Sequence, residues 1–579
     1  MTKRSLTTIG TPGAGLFAAI ALLLAGCGPR DAGAPASMVA TKAPVVDEYH
    51  GLKVSDPYRW LENGADPVVQ EWGRQQTEAT QEYLARLPAT DAIRRMLTEL
   101  MASPSVSYWA LRRAGGQLFA MKEQPPLQQP MLVVMHSADD PGSEVVLVDP
   151  NKLDPAGTTA IDFFEPSFDG KRVAVSMSKG GSESGDVRVL EVPSGRDLGE
   201  VVPRVNGGTA GGSLAWTADG AGFYYTRYPR TGERSEADLP FYQQVYFHKL
   251  GDATANDRYE IGKDFSRIAE IQLESSRDGK YILASVQKGD GGEFMYHLRW
   301  PDGSWTQITR YEDRAVHAAL GSDGAIYFVS RLEAPRGKVL RLALGPGAPN
   351  LKDAATIVPE ESDSVTTDFA SNAGLWVSAS RVFVQYQQGG PSAVKVFDLS
   401  GKPRGVLPAP PVSSVGAVTV LEGDDVLYRR QSFLTPPAWH RWRAADGSSH
   451  QTALVETSPA DFSDAEVVRE VAVSKDGARI PLSVVRRKGT PLDGSNPTLL
   501  YGYGGFGFSE GPSFNPAIRA WIEQGGVFAV ANIRGGGEFG EEWHRAGSLT
   551  NKQNVFDDFA AAARRLIEVR CTRPERLAA

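Results

Sequence analysis

The feature that most constrains this fold is a short turn-and-strand motif that recurs along the middle of the chain. An Asp-Gly pair, followed by an alternating β-rich run, occurs at Asp169-Gly170, Asp219-Gly220, Asp278-Gly279 and Asp323-Gly324. Successive Asp residues of the motif are 50, 59 and 45 residues apart. Asp-Gly favours tight turns, and a repeat of this length is typical of four-stranded propeller blades. The pattern predicts a β-propeller of about seven blades over residues 105–458, with a pair of β-sandwiches as the alternative.

The segments on either side of the repeat differ from it. A chain of 579 residues exceeds what one hydrophobic core holds, so several domains are expected. Residues 45–104 have helical composition. In residues 459–579, apolar strands at 497–501 and 526–533 alternate with helical stretches. This alternation predicts an α/β sheet with parallel strands.

The N-terminus resembles a bacterial lipoprotein signal. A basic start, Lys3-Arg4, precedes an apolar run and then Leu24-Ala25-Gly26-Cys27, a pattern in which the Cys is lipidated. Residues 1–27 are therefore interpreted as a signal peptide ending at the lipidation site Cys27, and the Pro-rich residues 28–44 as a tether. This predicts a membrane-anchored lipoprotein of the cell envelope that faces the periplasm, in the outer membrane if the cell has one. The alternative is a plain secretory signal in which Cys27 is incidental.

The composition limits the partners and cofactors of the protein. A net charge of −8 argues against nucleic acid, whose phosphates require a basic surface. The two cysteines are Cys27 and Cys571, so an internal disulfide is not expected if Cys27 is acylated. The eight histidines are scattered without the i, i+4 spacing of a zinc helix, and neither a metal nor another cofactor is predicted.

Two glycine-rich segments lie at strand ends of the α/β region, where such folds place their sites. They are residues 501–507 (YGYGGFG) and 532–540 (NIRGGGEFG). Glycine lets the backbone turn sharply and approach a ligand closely. A phosphate loop is excluded because neither segment continues into Gly-Lys-Ser/Thr. An active-site loop and a pair of simple tight turns are the two interpretations left.

The surrounding motifs favour the active-site loop. Five motifs resemble, in this order, the hydrolase domain of the prolyl oligopeptidase family. They are Tyr501–Phe506, Ala531–Gly540, Trp543-His544, Asn551–Asn554 and Phe556–Phe559. Residues 47–60 are similar to the N-terminal signature of that family, and the resemblance extends to Ala579. It implies a seven-bladed β-propeller plus an α/β-hydrolase domain, incomplete here, on which the N-terminal helical segment packs. It also implies a monomeric serine endopeptidase that cleaves short proline-containing peptides after proline.

The resemblance also implies roles for individual residues. Tyr503 corresponds to the family's oxyanion-hole tyrosine, whose phenol would stabilise the developing oxyanion together with a backbone amide. Phe506 would line the pocket for the proline ring, with ordinary core packing as the alternative. Arg534, Glu538 and His544 would hold the loop beside the site rather than act as acids or bases.

A serine nucleophile is the part of the site that the sequence does not supply. The Gly-x-Ser-x-Gly pattern of a nucleophile elbow occurs once, around Ser509, but several residues after the strand and with prolines before the next helix. In the family the elbow follows a segment similar to Thr572–Ala578, so the Ser, Asp and His of the triad are expected beyond Ala579. The chain is therefore expected to be a truncated or frameshifted peptidase that is inactive as written.

Two alternatives to this interpretation stay open. One is a non-catalytic lipoprotein whose propeller binds peptides, which the absent triad favours and the retained Tyr503 disfavours. It predicts saturable binding of proline peptides without turnover. The other is a specificity like that of oligopeptidase B, which cleaves after Lys or Arg. That branch tends to carry Ser-Tyr where this chain has Gly505-Phe506.

Overall fold

The computed structural model describes residues 40–102, 105–207, 211–289, 292–345, 349–367 and 374–579. The signal peptide and the lipidation site Cys27 lie outside these residues, so both stay predictions. Within the described ranges, no helix is both long and apolar enough to cross a membrane.

The described chain begins with a hairpin and two helices. The hairpin consists of β1 (Val45–Tyr49) and β2 (Leu52–Asp56), and the helices are α1 (Pro67–Arg86) and α2 (Thr90–Met101). Helix α1 is capped by Asp66, whose side chain accepts a hydrogen bond of 2.8 Å from the Val68 N–H. Leu100 of α2 is buried in one cluster with Ile518 of the C-terminal region. The second helix therefore packs on that region.

Seven antiparallel sheets follow, and the strands of each sheet are consecutive in the chain. The first two are β3 (Ser107–Ala114), β4 (Gln117–Glu123), β5 (Met131–Met135) and β6 (Val145–Val148), then, after helix α3 (Pro150–Leu153), β7 (Thr159–Pro166), β8 (Arg172–Lys179), β9 (Gly185–Glu191) and β10 (Asp197–Asn206). The next two are β11 (Leu214–Trp216), β12 (Gly222–Arg227), β13 (Gln244–Lys249) and β14 (Arg258–Ile261), then β15 (Ala269–Ser275), β16 (Ile282–Lys288), β17 (Phe294–Arg299) and β18 (Trp305–Gln307).

The last three sheets complete the ring. They are β19 (Ala315–Leu320), β20 (Ala325–Ser330), β21 (Lys338–Ala343) and β22 (Ala355–Val358), then β23 (Ser364–Val365), β24 (Leu375–Val377), β25 (Arg381–Gln387), β26 (Ser392–Asp398) and β27 (Pro403–Val406), then β28 (Ser413–Val420), β29 (Val426–Ser432), β30 (Ala438–Trp442) and β31 (Ser449–Val455). The sixth sheet has five strands because β23 and β24 both pair with β25. The seven-bladed propeller is confirmed, and the alternative of two β-sandwiches is wrong.

The recurring Asp-Gly pairs form the turn between the first two strands of the second to fifth blades. Their glycines have φ values of +67°, +65°, +66° and +68°, in the left-handed region that favours glycine. Asp169 accepts hydrogen bonds from the Ser167 hydroxyl (2.7 Å) and the Lys171 N–H (3.0 Å). Equivalent contacts recur at Asp219 and Asp278. The motif that predicted the propeller is thus a left-handed glycine turn, closed at Asp169, Asp219 and Asp278 by the Asp side chain itself.

Neighbouring blades contact each other through these turns. Arg172 of the second blade donates a hydrogen bond of 2.9 Å to the carbonyl of Gly220 in the turn of the third. Gly279 of the fourth blade lies so close to the third that a Cβ added there would be 2.8 Å from Ala218 Cα. The turns therefore set the spacing between blades.

The ring closes between the seventh and first blades. Trp439 Nε1 donates a hydrogen bond of 2.8 Å to the Tyr108 carbonyl, and the Thr419 hydroxyl donates one of 3.3 Å to the Leu111 carbonyl. Leu111 and Trp439 are buried in one apolar cluster that spans the seam. Among the described residues these two blades share no strand, so side-chain packing, these side-chain hydrogen bonds and one backbone bond of 3.1 Å from the Ala453 N–H to the Ala138 carbonyl close the ring.

The C-terminal region is a mixed sheet with helices. Its elements are β32 (Ala465–Val473), β33 (Arg479–Arg487), β34 (Thr498–Tyr501), α4 (Ala517–Glu523), β35 (Val527–Ala531), α5 (Glu541–Arg545), α6 (Gln553–Glu568) and β36 (Leu577–Ala578). The strand order is β32-β33-β35-β34-β36. Strand β34 pairs in parallel with β35 and with β36. The predicted alternation of strands and helices with parallel pairing is confirmed.

A buried arginine joins three elements of this region. Arg534 follows β35 and donates to Asp558 of α6 from its backbone N (3.0 Å), Nε (2.9 Å) and Nη2 (2.6 Å). Its Nη1 donates to Asp476 in the turn between β32 and β33 at 2.5 Å. The hydrogen bonds with Asp558, above all, raise the pKa of Arg534, and the bond from Arg534 lowers the pKa of Asp476. The cluster ties the end of β35 to the last helix.

The contact between propeller turns predicts different costs for two Gly→Ala substitutions. Gly279 and Gly324 share a left-handed φ, which costs an alanine roughly 1 kcal/mol at either position. An added Cβ at Gly324 meets nothing within 4 Å, whereas at Gly279 it meets Ala218. We expect Gly279→Ala to lower unfolding free energy by about 1–3 kcal/mol more than the control Gly324→Ala. Urea unfolding followed by tryptophan fluorescence measures both, and equal midpoints would refute the turn contact.

The arginine cluster predicts a second contrast. Arg534→Met leaves the fully buried Asp558 without its cation, which typically costs about 3–5 kcal/mol. The control is Arg565→Met, on the same helix as Asp558. Arg565 pairs with Glu470 at a partly exposed position, so losing this pair should lower the free energy of unfolding by less than about 1 kcal/mol. Thermal unfolding of both variants tests this. Similar shifts for the two variants would contradict a structural role specific to Arg534.

Candidate functional site

The glycine-rich segment 501–507 leaves β34 at the carboxyl end of the parallel strands, beside the propeller. Ligand sites of α/β sheets lie at this end. Beyond the segment, the Ser414 hydroxyl of the seventh blade donates a hydrogen bond of 2.7 Å to the Pro512 carbonyl. Gln431 of the same blade accepts one of 3.3 Å from the Phe514 N–H. The loop therefore lies between the sheet and the propeller.

Aromatic side chains project from this loop. Tyr503, Phe506 and Phe508 are 40%, 84% and 57% exposed. The rings of Tyr503 and Phe508 meet edge to face, with centroids 5.8 Å apart. Tyr503 has no side-chain hydrogen-bond partner among the described residues, so its phenol O–H is available to a ligand. The predicted oxyanion tyrosine is thus placed where it could donate to one.

Phe506 has an unusual backbone conformation. Its φ is +54°, in the left-handed region that bulky side chains rarely occupy. Hydrogen bonds pin the chain around it: the Gly507 N–H donates to the Gly535 carbonyl at 2.9 Å, and Lys552 Nζ to the Gly504 carbonyl at 2.7 Å. Strain of this kind is often found at functional sites. Because its side chain is exposed, ordinary core packing does not explain Phe506.

The second glycine-rich segment lies against the first. A Cβ added at Gly535 would be 2.5 Å from the Gly504 carbonyl oxygen, and one at Gly537 would collide with the Gly507 carbonyl oxygen. Gly535 also has a left-handed φ of +90°. These glycines therefore let the two glycine-rich loops pack directly against each other. Two independent tight turns would not require this contact.

Polar side chains beneath the loop hold it in place. Asn532 Nδ2 donates to the Glu510 carbonyl at 2.7 Å, and Glu538 Oε1 accepts from the Glu510 N–H at 3.0 Å. Arg469 of β32 extends this network to the propeller, where its Nη2 donates to the Gly389 carbonyl at 2.5 Å. Sequence reasoning missed Arg469, because one arginine in a strand carries no motif. Burial raises the pKa of Glu538 to about 7.

Ser509 and His544 do not form a catalytic pair with a carboxylate. Ser509 lies in the irregular segment between β34 and α4, not at a direct strand–helix junction. Burial, and then Arg331, Arg545 and Lys552, lower the pKa of His544. Its ring has no carboxylate partner in the part of the chain that the structure describes. The same residues contain no group of three or more His, Cys, Asp or Glu side chains that could hold a metal.

Both the sequence and the fold of this chain match known proteins over most of its length. Residues 38–454 match the sequence model of the prolyl oligopeptidase N-terminal β-propeller domain, and residues 512–579 match that of the prolyl oligopeptidase family. Tyr503 and Phe506 lie between the two matched ranges.

Individual relatives agree with this. The chain is 30% identical over 531 residues to a prolyl endopeptidase of Elizabethkingia meningoseptica, covering 90% of this chain and 71% of that protein. A prolyl endopeptidase of Elizabethkingia miricola is 30% identical over 524 residues, covering 89% and 71%. A solved prolyl endopeptidase structure is similar with a TM-score of 0.82 at 31% identity, covering 93% of this chain and 77% of that one. Since these matches span the propeller, the loop and the strands beneath it, the chain belongs to the prolyl oligopeptidase family.

Proposed function

We propose that the chain carries the peptide-binding face and the oxyanion side of a serine endopeptidase that cleaves short peptides after proline. The observation that supports this best is the pairing of a free phenol, Tyr503, with an exposed ring held in strained backbone, Phe506, on one pinned loop. The segment that follows the loop contacts the propeller at Pro512 and Phe514. Family membership supports the same chemistry.

Each of the two residues would have one task. The Tyr503 phenol would donate a hydrogen bond to the oxygen that becomes negative when a nucleophile attacks the carbonyl after proline. A single donor of this kind typically contributes a factor of about 10²–10³ in rate. Phe506 would pack on the proline ring, because an exposed aromatic face gains by covering an apolar ring.

Residues 1–579 would not carry out the acyl transfer by themselves. Acyl transfer needs a serine activated by a histidine that a carboxylate orients. The described residues hold no such set, because Ser509 is not at an elbow and His544 lacks a carboxylate. We therefore propose that this polypeptide binds proline peptides without cleaving them. Serine, histidine and aspartate would have to be supplied from outside residues 1–579.

The first test measures turnover by the polypeptide itself. We expect purified residues 1–579 to cleave an N-acyl-Gly-Pro reporter no faster than the variant Ser509→Ala, because neither has an activated nucleophile. Release of the reporter's fluorophore gives the rate, and peptide binding measured by fluorescence anisotropy runs in parallel. Cleavage that Ser509→Ala abolishes would show that this serine is the nucleophile, and the proposal would fail.

The second test assigns the role of Tyr503. A chimera would extend residue 579 with the part of the Elizabethkingia meningoseptica enzyme that follows the aligned region. We expect this chimera to hydrolyse the reporter, and Tyr503→Phe to lower kcat by about 10²–10³ with little change in KM.

The matched control in the chimera is Tyr501→Phe. Tyr501 is similarly exposed, but its hydroxyl already donates to Glu510 at 3.3 Å, so we expect kcat to change only a few-fold. A chimera that folds, shown by an unchanged circular dichroism spectrum, yet does not hydrolyse the reporter would contradict the proposal. So would a larger loss from Tyr501→Phe than from Tyr503→Phe.

A further inference from the structure

A buried carboxyl group lies beneath the loop that carries Tyr503, and the proposed reaction gives it no task. The side chain of Glu538 belongs to a residue that is only 1% exposed. Its Oε1 accepts hydrogen bonds from the Glu510 N–H at 3.0 Å and from Asn532 Nδ2 at 3.2 Å. Through the first of these bonds, Glu538 supports the backbone two residues after Phe508.

The second oxygen of this carboxyl has no partner. Glu538 Oε2 is buried without a hydrogen bond. It lies against Gly536, where a Cβ would also be 2.8 Å from the Phe508 carbonyl oxygen. A buried carboxylate oxygen without a donor is unfavourable, whereas a neutral carboxyl carries its proton on one oxygen and holds no charge. The geometry therefore suits the protonated form.

The charged groups around Glu538 favour the same form. Glu510 of the loop faces it and disfavours a second negative charge. The nearby cation is Arg469 of β32, and it does not contact Glu538 directly. Its Nη1 is 3.5 Å from Asn532 Oδ1, and Asn532 in turn contacts Glu538. Arg469 is itself engaged by the Ser483 hydroxyl (2.7 Å) and by the Gly389 carbonyl of the propeller. Nothing in this set neutralises an ionised Glu538 directly.

We propose that Glu538 is a proton-operated latch, whose neutral carboxyl holds residues 508–510 against the second glycine-rich segment and whose ionisation releases them. Glu538 acts as a positioning residue, because it contacts the backbone of the loop and not a substrate. Any effect of the latch on catalysis, through the position of Tyr503, rests on the proposed function. The opening and closing of the loop does not rest on it.

The direction of the pH effect follows from linkage. Burial, opposed by the hydrogen bonds from Glu510 and Asn532, raises the pKa of Glu538 to about 7, above that of an exposed glutamate. The closed loop then binds more protons than the open loop between about pH 4 and pH 7. Closure is therefore strongest at low pH, weakens as the pH rises through this window and levels off above it. From pH 6 to pH 8 the opening equilibrium should rise about tenfold.

Hydrogen exchange of residues 1–579 tests the latch without any peptide. We expect the protection of backbone amides in residues 501–512, corrected for the intrinsic pH dependence of exchange, to fall about tenfold between pH 6 and pH 8. Glu538→Gln keeps an acceptor and supplies an N–H donor, so it should stay protected at both pH values. The control Glu510→Gln removes the other, partly buried carboxyl nearby and should leave the transition in place.

The outcomes separate the latch from its rivals. Protection that does not change with pH in the wild-type chain would overturn the proposal, as would a transition that persists in Glu538→Gln. A transition abolished by Glu510→Gln instead would assign the titration to Glu510 and also overturn it. Since no peptide is present, failure of Tyr503 as an oxyanion donor leaves these results unaffected, and the two proposals fail independently.

Discussion

The geometry of the site depends on the ion pair between Arg534 and Asp558, both buried, which half-exposed Asp476 extends to the surface. Arg534 sits where β35 ends, so its bonds to α6 and to the β32–β33 turn fix the start of the second glycine-rich segment. The loop that carries Tyr503 rests on that segment through the bond from the Gly507 N–H to the Gly535 carbonyl. The Arg534 guanidinium and Asp558 are buried, whereas Asp476 is half exposed, so the arginine neutralises the buried carboxylate while its other donors reach the surface. The exposed loop is therefore positioned by a core interaction.

The propeller takes part in this arrangement from the other side. Arg469 reaches out of β32 to the Gly389 carbonyl in the sixth blade, and Ser414 of the seventh blade holds Pro512. Both contacts lie next to the loop, so the domain boundary and the site share the same residues. The blades themselves are held at fixed spacing by the Asp-Gly turns. A peptide at Tyr503 would thus bind where hydrogen bonds already join the propeller to the C-terminal region.

The sequence predicted the features that depend on local pattern. The Asp-Gly turns and their spacing gave the propeller, because each turn needs a left-handed glycine and three of the four are closed by their own Asp side chain. The apolar strands around 499 and 529 gave the parallel sheet. The positive φ of Phe506, the partnerless oxygen of Glu538 and the bridge from Arg469 to the propeller were not predictable. Each depends on a contact with a residue distant in sequence, and no local sequence pattern indicates which residue that is.

The central proposal is that Phe506 packs on the proline ring of a bound peptide, beside the oxyanion donor Tyr503 on the same loop. The most direct measurement is photo-crosslinking of residues 1–579 with a short peptide whose proline ring carries a diazirine, followed by mass spectrometric mapping. The account predicts crosslinks within residues 501–508 that an excess of unlabelled proline peptide suppresses and that Phe506→Ala strongly reduces. Crosslinks confined to the propeller or to other parts of the sheet, unaffected by Phe506→Ala, would contradict it.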